Sequence, residues 1–248
     1  MIRVIKPPTA PEGFTESAAQ DKASLESEYD SDPEAFRSGA RRFQFTDVYK
    51  LARTTLADTQ HGKCAYTEVK IGHVSPEDVE HWRPKGAVRQ SAKSPVERPG
   101  YYWLAYDWDN LFIVSPRANR EYKRDLFPLA SPENRARSHH DDLSREEPLL
   151  VHPSQDNPEE HVGFRGAIAF PRSNSMKGET TIMVCGLNAP QLKEARRERY
   201  EFLKAFVDSQ QQCAASSTEA SELLSALADD DREYASMVRC AIRDGFKY

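Results

Sequence analysis

Residues 79–85 read VEHWRPK, placing an acid and an imidazole side by side, followed by an indole, a guanidinium, a proline and an ammonium. Glu80 and His81 pair a carboxylate that can bind a metal ion with a group that accepts a proton near neutral pH. Arg83 and Lys85 carry the positive charge that binds phosphate. Taken alone, His81 fits a hydrogen-bonded histidine in a strand, and the two basic residues fit solvated surface charges. The interpretation therefore depends on the rest of the chain.

A second group of polar residues follows in YYWLAYDWDNLFIVSPRANREYKRDLFPL, residues 101–129. Ser115, followed by a proline, is typical of the start of a helix, so the segment after it is predicted to be helical. Asn119 and Lys123 are four residues apart and would share one face of that helix. The apolar run before Ser115 reads as a strand that the chain enters through a turn at Asn110.

These parts follow the order that a one-metal nuclease needs: a strand with an acid and a histidine, a crossing segment, and a helix with an amide. Mg²⁺ takes oxygen ligands, which Glu80 and Asn119 supply, and it keeps positions for water and phosphate oxygens. A neutral His81 is suited to take a proton from water at neutral pH. In isolation Asn110 and Asn119 fit turn and helix-cap roles, and only their combination with Glu80 and His81 favours catalysis.

Composition narrows the class of protein. The chain has 248 residues and a net charge of −5, which argues against a protein that coats polyanions. Residues 80–137 nevertheless hold 11 basic and 7 acidic side chains, which suits a focused phosphate site. We find neither a signal peptide nor a membrane span, and the cysteines Cys64, Cys185, Cys213 and Cys240 lack paired spacing. A cytoplasmic protein is expected.

Four regions are expected along an α+β chain whose small β-containing centre lies between helical flanks. They are an extended N-terminal arm (1–34), a central core with a preceding helix (35–130), a polar surface loop with a small hairpin (131–186) and a helical C-terminal region (187–248). The preceding helix is predicted from an apolar stripe at 48–56 that stops before Gly62.

The second half of the chain gives more local predictions. GFRGAIAFP (163–171) and ETTIMVC (179–185) read as two strands of a hairpin. Asn188 is predicted to cap a helix that begins near Pro190. One face of that helix would hold Leu192, Ala195, Arg199, Phe202, Leu203 and Phe206. One or two amphipathic helices follow, with DDD (229–231) as a solvated interruption.

His139, His140 and Asp141 are residue types that bind metals. They lie in a polar stretch of the chain, where exposure to solvent is the expected explanation.

The chain resembles the HNH endonucleases, and more closely the HNH proteins paired with an ATPase in bacterial anti-phage systems of the Septu and retron type. The resemblance rests on CAYTE (64–68), EHWRPK (80–85), WLAYDWDNL (103–111), VSPRAN (114–119), Lys123 and FPL (127–129), in this order. The opening MIRVIKPPTAPEGF and the later GETTIMVCGLNAPQLKEARRERYEFL are also similar to this group, so the resemblance covers most of the chain.

The resemblance implies a fold and a set of roles. The fold would be the ββα-metal core of the family, embedded in helical flanks. His81 would be the general base, and Asn110 would tie its loop to the strand. Glu80 and Asn119 would hold Mg²⁺ or Mn²⁺. The nucleic-acid backbone would be positioned by Arg83, Lys85, Arg120 and Lys123.

One departure from the family concerns its structural zinc, which two Cys-x-x-Cys pairs hold at a knuckle before the catalytic strand. Here only Cys64 remains, and Thr67, Ser115 and Ala118 stand at the other three positions. A structural zinc needs four ligands, so none is expected. The other cysteines are not expected to converge on the knuckle, and His61 and His73 lack the required spacing. Packing is expected to hold it, with Tyr66, Tyr101, Tyr102, Trp103 and Trp108 as fillers.

The function implied is a metal-dependent endonuclease that hydrolyses phosphodiester bonds of DNA or RNA, tRNA included, as the effector of an anti-phage system. Its partners would be the nucleic-acid substrate, an ATPase subunit that controls it and, in the retron branch, a reverse transcriptase with its RNA–DNA hybrid. No membrane partner is expected. The alternative is a catalytically inactive adaptor of the same fold that binds nucleic acid or the ATPase without cleavage.

Overall fold

The structure is a computed structural model that describes residues 1–72, 78–212 and 217–248. These residues form an α+β arrangement of helices around two small antiparallel sheets. The α-helices are α1 (Phe14–Ser31), α2 (Pro33–Ser38), α3 (Arg53–Thr59), α4 (Pro158–His161), α5 (Met176–Val184), α6 (Pro190–Gln212), α7 (Ser217–Leu227) and α8 (Ala235–Arg243). The strands are β1 (Asp78–His81), β2 (Leu111–Val114), β3 (Val162–Arg165) and β4 (Ile168–Pro171). Short 3₁₀ turns lie at Asp47–Ala52, Tyr102–Leu104, Trp108–Asn110, Pro132–Asn134, Leu143–Arg145 and Arg172–Asn174, and a π-helical segment spans Ala118–Lys123.

The sheet β1–β2 lies at the centre of the molecule. All four residues of β2 are completely buried, and their run of apolar side chains explains why. Aromatic side chains pack around this strand, and the predicted fillers Tyr66, Tyr101, Tyr102 and Trp103 are buried among them. Trp108 is half-buried and packs at the edge of the same core.

The N-terminal region differs from the extended arm predicted for residues 1–34. An 18-residue helix, α1, occupies much of it, and Met1, Ile2 and Val4 before the helix are buried. Phe14, Ala18, Leu25 and Tyr29 form the buried side of α1. Their spacing is helical, but the polar and acidic residues between them make the apolar stripe too sparse to stand out in the sequence. The arm is therefore an ordered helical layer on the core.

The helix predicted before the core is present and ends where expected. It begins as the 3₁₀ turn Asp47–Ala52 and continues as α3. Gly62 adopts a left-handed conformation with φ of 66°, and its N–H donates to the carbonyl of Ala57 at 2.8 Å. Glycine suits this position because a left-handed residue closes a helix without the steric cost of a Cβ atom.

The polar segment that follows the core, residues 131–160, is more buried than a surface loop. Ser138, Leu150 and Val151 are buried, as are the charged residues Arg135 and Glu146. Polar groups can be buried when they satisfy one another's hydrogen bonds, so polarity alone did not indicate exposure here.

The small hairpin lies entirely within residues 162–171. β3 and β4 pair in antiparallel register with Phe164 opposite Ala169, and the turn between them has Gly166 at φ of 54°. The prediction that residues 179–185 form a strand is wrong, because most of them lie in α5. The Ser175 side chain caps α5 by accepting from the N–H of Gly178, so capping and packing override the β-branched composition.

The C-terminal helices agree with the sequence in outline and differ in detail. α6 begins at Pro190, but the side chain of Asn188 does not cap it. That amide instead exchanges two hydrogen bonds of 2.9 Å with the backbone of Ala169 in the hairpin. Phe202, placed on the packed face by the sequence, has 64% of its surface exposed, whereas Arg196 is buried. The acidic run 229–231 separates α7 from α8, as predicted.

Across the described ranges, none of the helices is both long and apolar enough to span a bilayer.

Candidate active site

The strand β1 and the segment Ala118–Lys123 build the candidate site. β1 pairs with β2 so that Glu80 lies opposite Phe112 and His81 opposite Leu111. Side chains alternate along a strand, so Asp78 and Glu80 share one face of the sheet. The π-helical segment follows β2 after a short turn and contacts that face with Asn119 and Lys123. The sequence therefore brings two acids, an amide and an ammonium together.

Glu80 and Lys123 form a buried ion pair. The ammonium lies 2.5 Å from the Oε1 atom of Glu80, and it also donates to the backbone carbonyl of His81 at 3.0 Å. Neither side chain has appreciable contact with solvent. Burial raises the pKa of the Glu80 carboxyl, and the positive charge of Lys123 offsets part of this effect. The ion pair therefore stabilises a charged Glu80 carboxylate in the interior. It also means that another cation would have to compete with Lys123 for this carboxylate.

Asn119 reaches a different carboxylate, that of Asp78. The Asn119 Nδ2 atom donates to Asp78 Oδ2 at 3.1 Å, and Arg120 adds two further hydrogen bonds of 2.9 and 2.7 Å. Sequence reasoning missed Asp78, although its position two residues before Glu80 on a strand was a usable signal. Asp78 is half-buried and so remains reachable from solvent.

His81 is held in one orientation by a hydrogen bond to the backbone. Its Nε2 atom lies 2.8 Å from the carbonyl oxygen of Ala105. A carbonyl can only accept, so Nε2 carries the proton and the lone pair of the neutral ring is on Nδ1. Burial lowers the pKa of His81 well below its ordinary value, and the charges of Lys85 and Lys123 act in the same direction. The imidazole is therefore neutral at pH 7, the form that accepts a proton.

Asn110 joins the backbone segments on either side of His81 and Ala105 through three hydrogen bonds. Its Oδ1 atom accepts from the N–H of Arg83 at 2.7 Å. Its Nδ2 atom donates to the carbonyls of Leu104 at 2.9 Å and of Arg83 at 3.1 Å. The buried amide therefore ties the residues after β1 to the turn that ends in Ala105, the acceptor for His81. The loss of any of these bonds would change the angle of the imidazole.

The four basic residues predicted to contact phosphate have different environments. Lys123 is fully buried in its ion pair, which does not fit a direct phosphate contact. Arg83 pairs with the buried Glu146 at 3.1 Å. Lys85 lies 3.6 Å from the centre of the Tyr49 ring, and burial lowers its pKa to about 8. Arg120 alone of the four is well exposed, with 70% of its side chain in contact with solvent.

The positions of the missing zinc ligands converge, as the family pattern implies. Thr67, Ser115 and Ala118 line one cavity of about 290 Å³, and Cys185 lines the same cavity. Cys64 is buried and lies close enough to Cys185 to influence the pKa of its thiol, which burial raises. The expectation that Cys185 lies far from the knuckle is therefore wrong, because the turn after α5 returns to this point.

Other residues considered for the knuckle lie elsewhere. His61 is exposed and lines a different cavity, together with Cys64. Cys240 accepts a hydrogen bond from Arg172 at 3.1 Å. His73 and Cys213 lie outside the described residues.

The donor set beside β1 fits a divalent cation that prefers oxygen ligands. Asp78, Glu80 and the amide oxygen of Asn119 are hard donors of the type that Mg²⁺ and Mn²⁺ bind. Glu80 is already neutralised by the buried Lys123, whereas the partner of Asp78 is the exposed Arg120. The pair Asp78 and Asn119 is therefore the more available half of the donor set.

Two curated proteins from Bacillus mycoides (strain KBAB4) are similar to this chain. One is the Septu protein PtuB, 38% identical over 180 residues that cover 67% of this chain and 60% of that protein. The other is the Septu protein PtuA, 28% identical over 142 residues that cover 56% of this chain and 19% of that protein. The chain thus spans less than two thirds of the first protein and about a fifth of the second. No protein-family model matches the chain, and no solved structure matches it significantly.

Proposed function

We propose that the chain is a metal-dependent endonuclease of the HNH type, with a ββα-metal core formed by β1, β2 and the segment Ala118–Lys123, and that it acts in a Septu anti-phage system. The name of the similar Septu protein PtuB supports the defence role. The order of strand, strand and helix, with an acid, a histidine and two asparagines on it, supports the chemistry. A second Septu protein of the system, which we propose to be an ATPase, would control cleavage.

The observation that carries the proposal is the state of His81. Its hydrogen bond to Ala105 fixes the proton on Nε2, and its low pKa leaves Nδ1 free to take a proton from water. A buried histidine that stays neutral at pH 7, on the same strand as two carboxylates, has the properties of a general base. Asn110 positions this base through the turn that ends in Ala105.

Asp78 and Asn119 would hold the divalent ion, and Glu80 would be a third, more buried donor. Such an ion stabilises the negative charge that develops on a phosphodiester as it is cleaved. Arg120 is exposed next to Asp78 and would bind the nucleic-acid backbone once it leaves the carboxylate. Since phosphate contacts carry no base information, the proposal covers DNA and RNA substrates alike.

A cleavage assay tests this function. Purified chain, alone and with a PtuA-like protein, is incubated with plasmid DNA, single-stranded DNA and total tRNA in Mg²⁺ or Mn²⁺. We expect cleavage that leaves 5′-phosphate ends and that His81→Ala reduces by ~10²–10⁴-fold, the usual contribution of a general base. The matched control is His161→Ala, which removes a histidine that lies in α4 and bonds to Ser175. Cleavage by His81→Ala at the wild-type rate would contradict the assignment.

A non-cleaving adaptor is the second candidate, and the Glu80–Lys123 ion pair favours it. The buried ammonium already satisfies the carboxylate that the family pattern assigns to the metal. In this case nucleic acid or the partner would bind without any cleavage under all metal conditions. Binding would then be equal for wild-type protein and His81→Ala.

A further inference from the structure

A cluster of two imidazoles and one carboxylate lies against Tyr102, the first residue of the turn Tyr102–Leu104. The Nε2 atom of His140 is 2.8 Å from Asp30 Oδ1, and the Nε2 atom of His139 is 3.5 Å from Asp30 Oδ2. All three ligand atoms lie within 4.8 Å of one another. Within the described part of the chain this is the only group of three such side chains with metal-ligand spacing.

We propose that Asp30, His139 and His140 bind one Zn²⁺ ion that fastens α1 to the loop carrying the two histidines. Zinc ligands lie about 2.0–2.1 Å from the ion, so two of them at a tetrahedral angle are about 3.3–3.4 Å apart. The observed separations from the Asp30 carboxylate are 2.8 Å for His140 and 3.5 Å for His139, one shorter and one longer than this value. Small rotations of the side chains would therefore bring the three ligands into position. This site is separate from the nuclease function proposed above and does not depend on it.

His139 makes the second hydrogen bond that histidine ligands of zinc usually make. Its Nδ1 atom lies 2.6 Å from the hydroxyl of Tyr102, which leaves Nε2 directed at Asp30. Metal-binding histidines are typically oriented by such a hydrogen bond on the second ring nitrogen. Tyr102 is itself completely buried and stacks on Tyr29, the neighbour of Asp30, at 5.0 Å between ring centres. The tyrosine therefore positions both sides of the cluster.

The loop that presents the histidines is also fixed. Asp141, which the sequence grouped with the two histidines, does not face the cluster. Its carboxylate accepts from the N–H groups of Arg137 at 2.8 Å and of Ser138 at 2.9 Å, and so closes the turn before His139. The acid in the cluster is Asp30 instead, which lies 109 positions away from His139 and was invisible to motif reading.

The ligand types in the cluster favour Zn²⁺ over the Mg²⁺ or Mn²⁺ proposed for the candidate active site. Imidazole nitrogen suits Zn²⁺, whereas Mg²⁺ prefers oxygen ligands and keeps its waters. The side chains of Asp30 and His140 are 48% and 63% exposed, which leaves room for a water molecule as fourth ligand. Three protein ligands and one water form a common zinc arrangement.

Zinc titration of tag-free, metal-stripped protein tests the proposal. Zinc bound by thiols would be retained in the histidine variants, which keep every cysteine. We expect one zinc ion per chain by competition with a chromophoric chelator, in the presence of a large excess of Mg²⁺. His139→Gln and His140→Gln should abolish this binding, whereas the control His161→Gln should bind as wild type does. Equal zinc binding by all four proteins, or none by the wild type, would overturn the proposal.

A conservative variant separates coordination from folding. Tyr102→Phe keeps the stacked ring and removes only the hydroxyl that orients His139, so zinc affinity should fall by ~10–100-fold. Thermal melts without zinc should be similar for wild type, His140→Gln and His161→Gln, since His140 is largely exposed. Zinc should raise the melting temperature of the wild type and of His161→Gln, but not that of His140→Gln. An equal rise in all three would refute the site.

Discussion

The Nε2 atom of His81 lies 2.8 Å from the carbonyl oxygen of Ala105. This contact sets the tautomer of the ring, and it depends on the turn Tyr102–Leu104, which Asn110 holds through the carbonyl of Leu104. The base and the residue that positions it are thus linked through the backbone of one turn.

The pH dependence of cleavage follows from the burial of His81. Burial penalises the charged imidazolium and lowers the pKa, so the neutral ring persists as the pH falls below 6.5. We expect single-turnover cleavage rates measured from pH 5 to pH 8 to decline on the acid side only well below pH 6.5. The residual rate of His81→Ala should lack this decline. A half-maximal rate near or above pH 6.5 would show that the reactive histidine is exposed to solvent.

Asp78 should control the affinity for the divalent ion. Asp78→Ala removes the more available carboxylate, so the Mg²⁺ concentration that gives half-maximal cleavage should rise at least about tenfold, since a direct ligand should matter no less than an outer-shell partner. Arg120→Ala is the matched variant, since it removes the competing cation and should lower that concentration or leave it unchanged. Stability should change by less than ~1 kcal/mol in Arg120→Ala, because the pair is exposed. If Asp78→Ala has no effect on Mg²⁺ dependence, the ion is held elsewhere.

Lys123 should matter mainly for stability. Lys123→Met leaves the Glu80 carboxylate buried without a partner, which typically costs about 3–5 kcal/mol. The pKa of Glu80, already raised, would rise further, so the variant should regain stability as the pH falls and the carboxyl becomes protonated. Urea denaturation at pH 7 and pH 5 measures both effects. The double variant Glu80→Gln with Lys123→Met should be more stable than Lys123→Met at pH 7; equal stabilities would exclude this account.

The knuckle cavity should accept a zinc ion once its thiolates are restored. Thr67→Cys, Ser115→Cys and Ala118→Cys would place three thiolates on the wall of this cavity, and Cys64, which lies near the cavity residue Cys185, would be the fourth ligand. In a His139→Gln background, which removes the other zinc site, the triple variant should bind one zinc and unfold at a higher temperature with the metal. Adding Cys64→Ser should weaken this gain. A triple variant that zinc leaves unaffected would show that the four positions do not face one another.

Part of the candidate site could be predicted from the sequence. The strand that holds Glu80 and His81, the apolar strand before Ser115 and the helical turn after it follow from short-range patterns, whereas the role of Asn110 was expected only from the family resemblance. What the sequence did not show is which partner each side chain meets. Glu80 was expected to meet a metal with Asn119, but Lys123 is its partner and Asp78 is that of Asn119.

The remaining differences arise where tertiary contacts override local preference. Residues 179–185 have strand-forming composition, yet α5 forms because its N-terminus is capped and the helix packs on β4. Asp30 and His139 meet only because α1 folds back over the turn Tyr102–Leu104, a contact with no signature in either segment. Pairs of residues so far apart in the sequence can be recognised only once the fold is known.

The buried carboxylate of Glu146 determines how residues 131–160 withstand proteases. It accepts hydrogen bonds from Arg83, from the hydroxyl of Tyr101 and from the N–H of Ala136, so this irregular stretch is anchored at its middle. Trypsin must open the stretch before it can cut at the arginines that flank these anchors. Digestion there should accordingly be slow in the wild type and rapid in Glu146→Ala, with the fragments identified by mass spectrometry. We thus expect one buried side chain to protect from digestion a stretch that holds only short helical segments among the named elements.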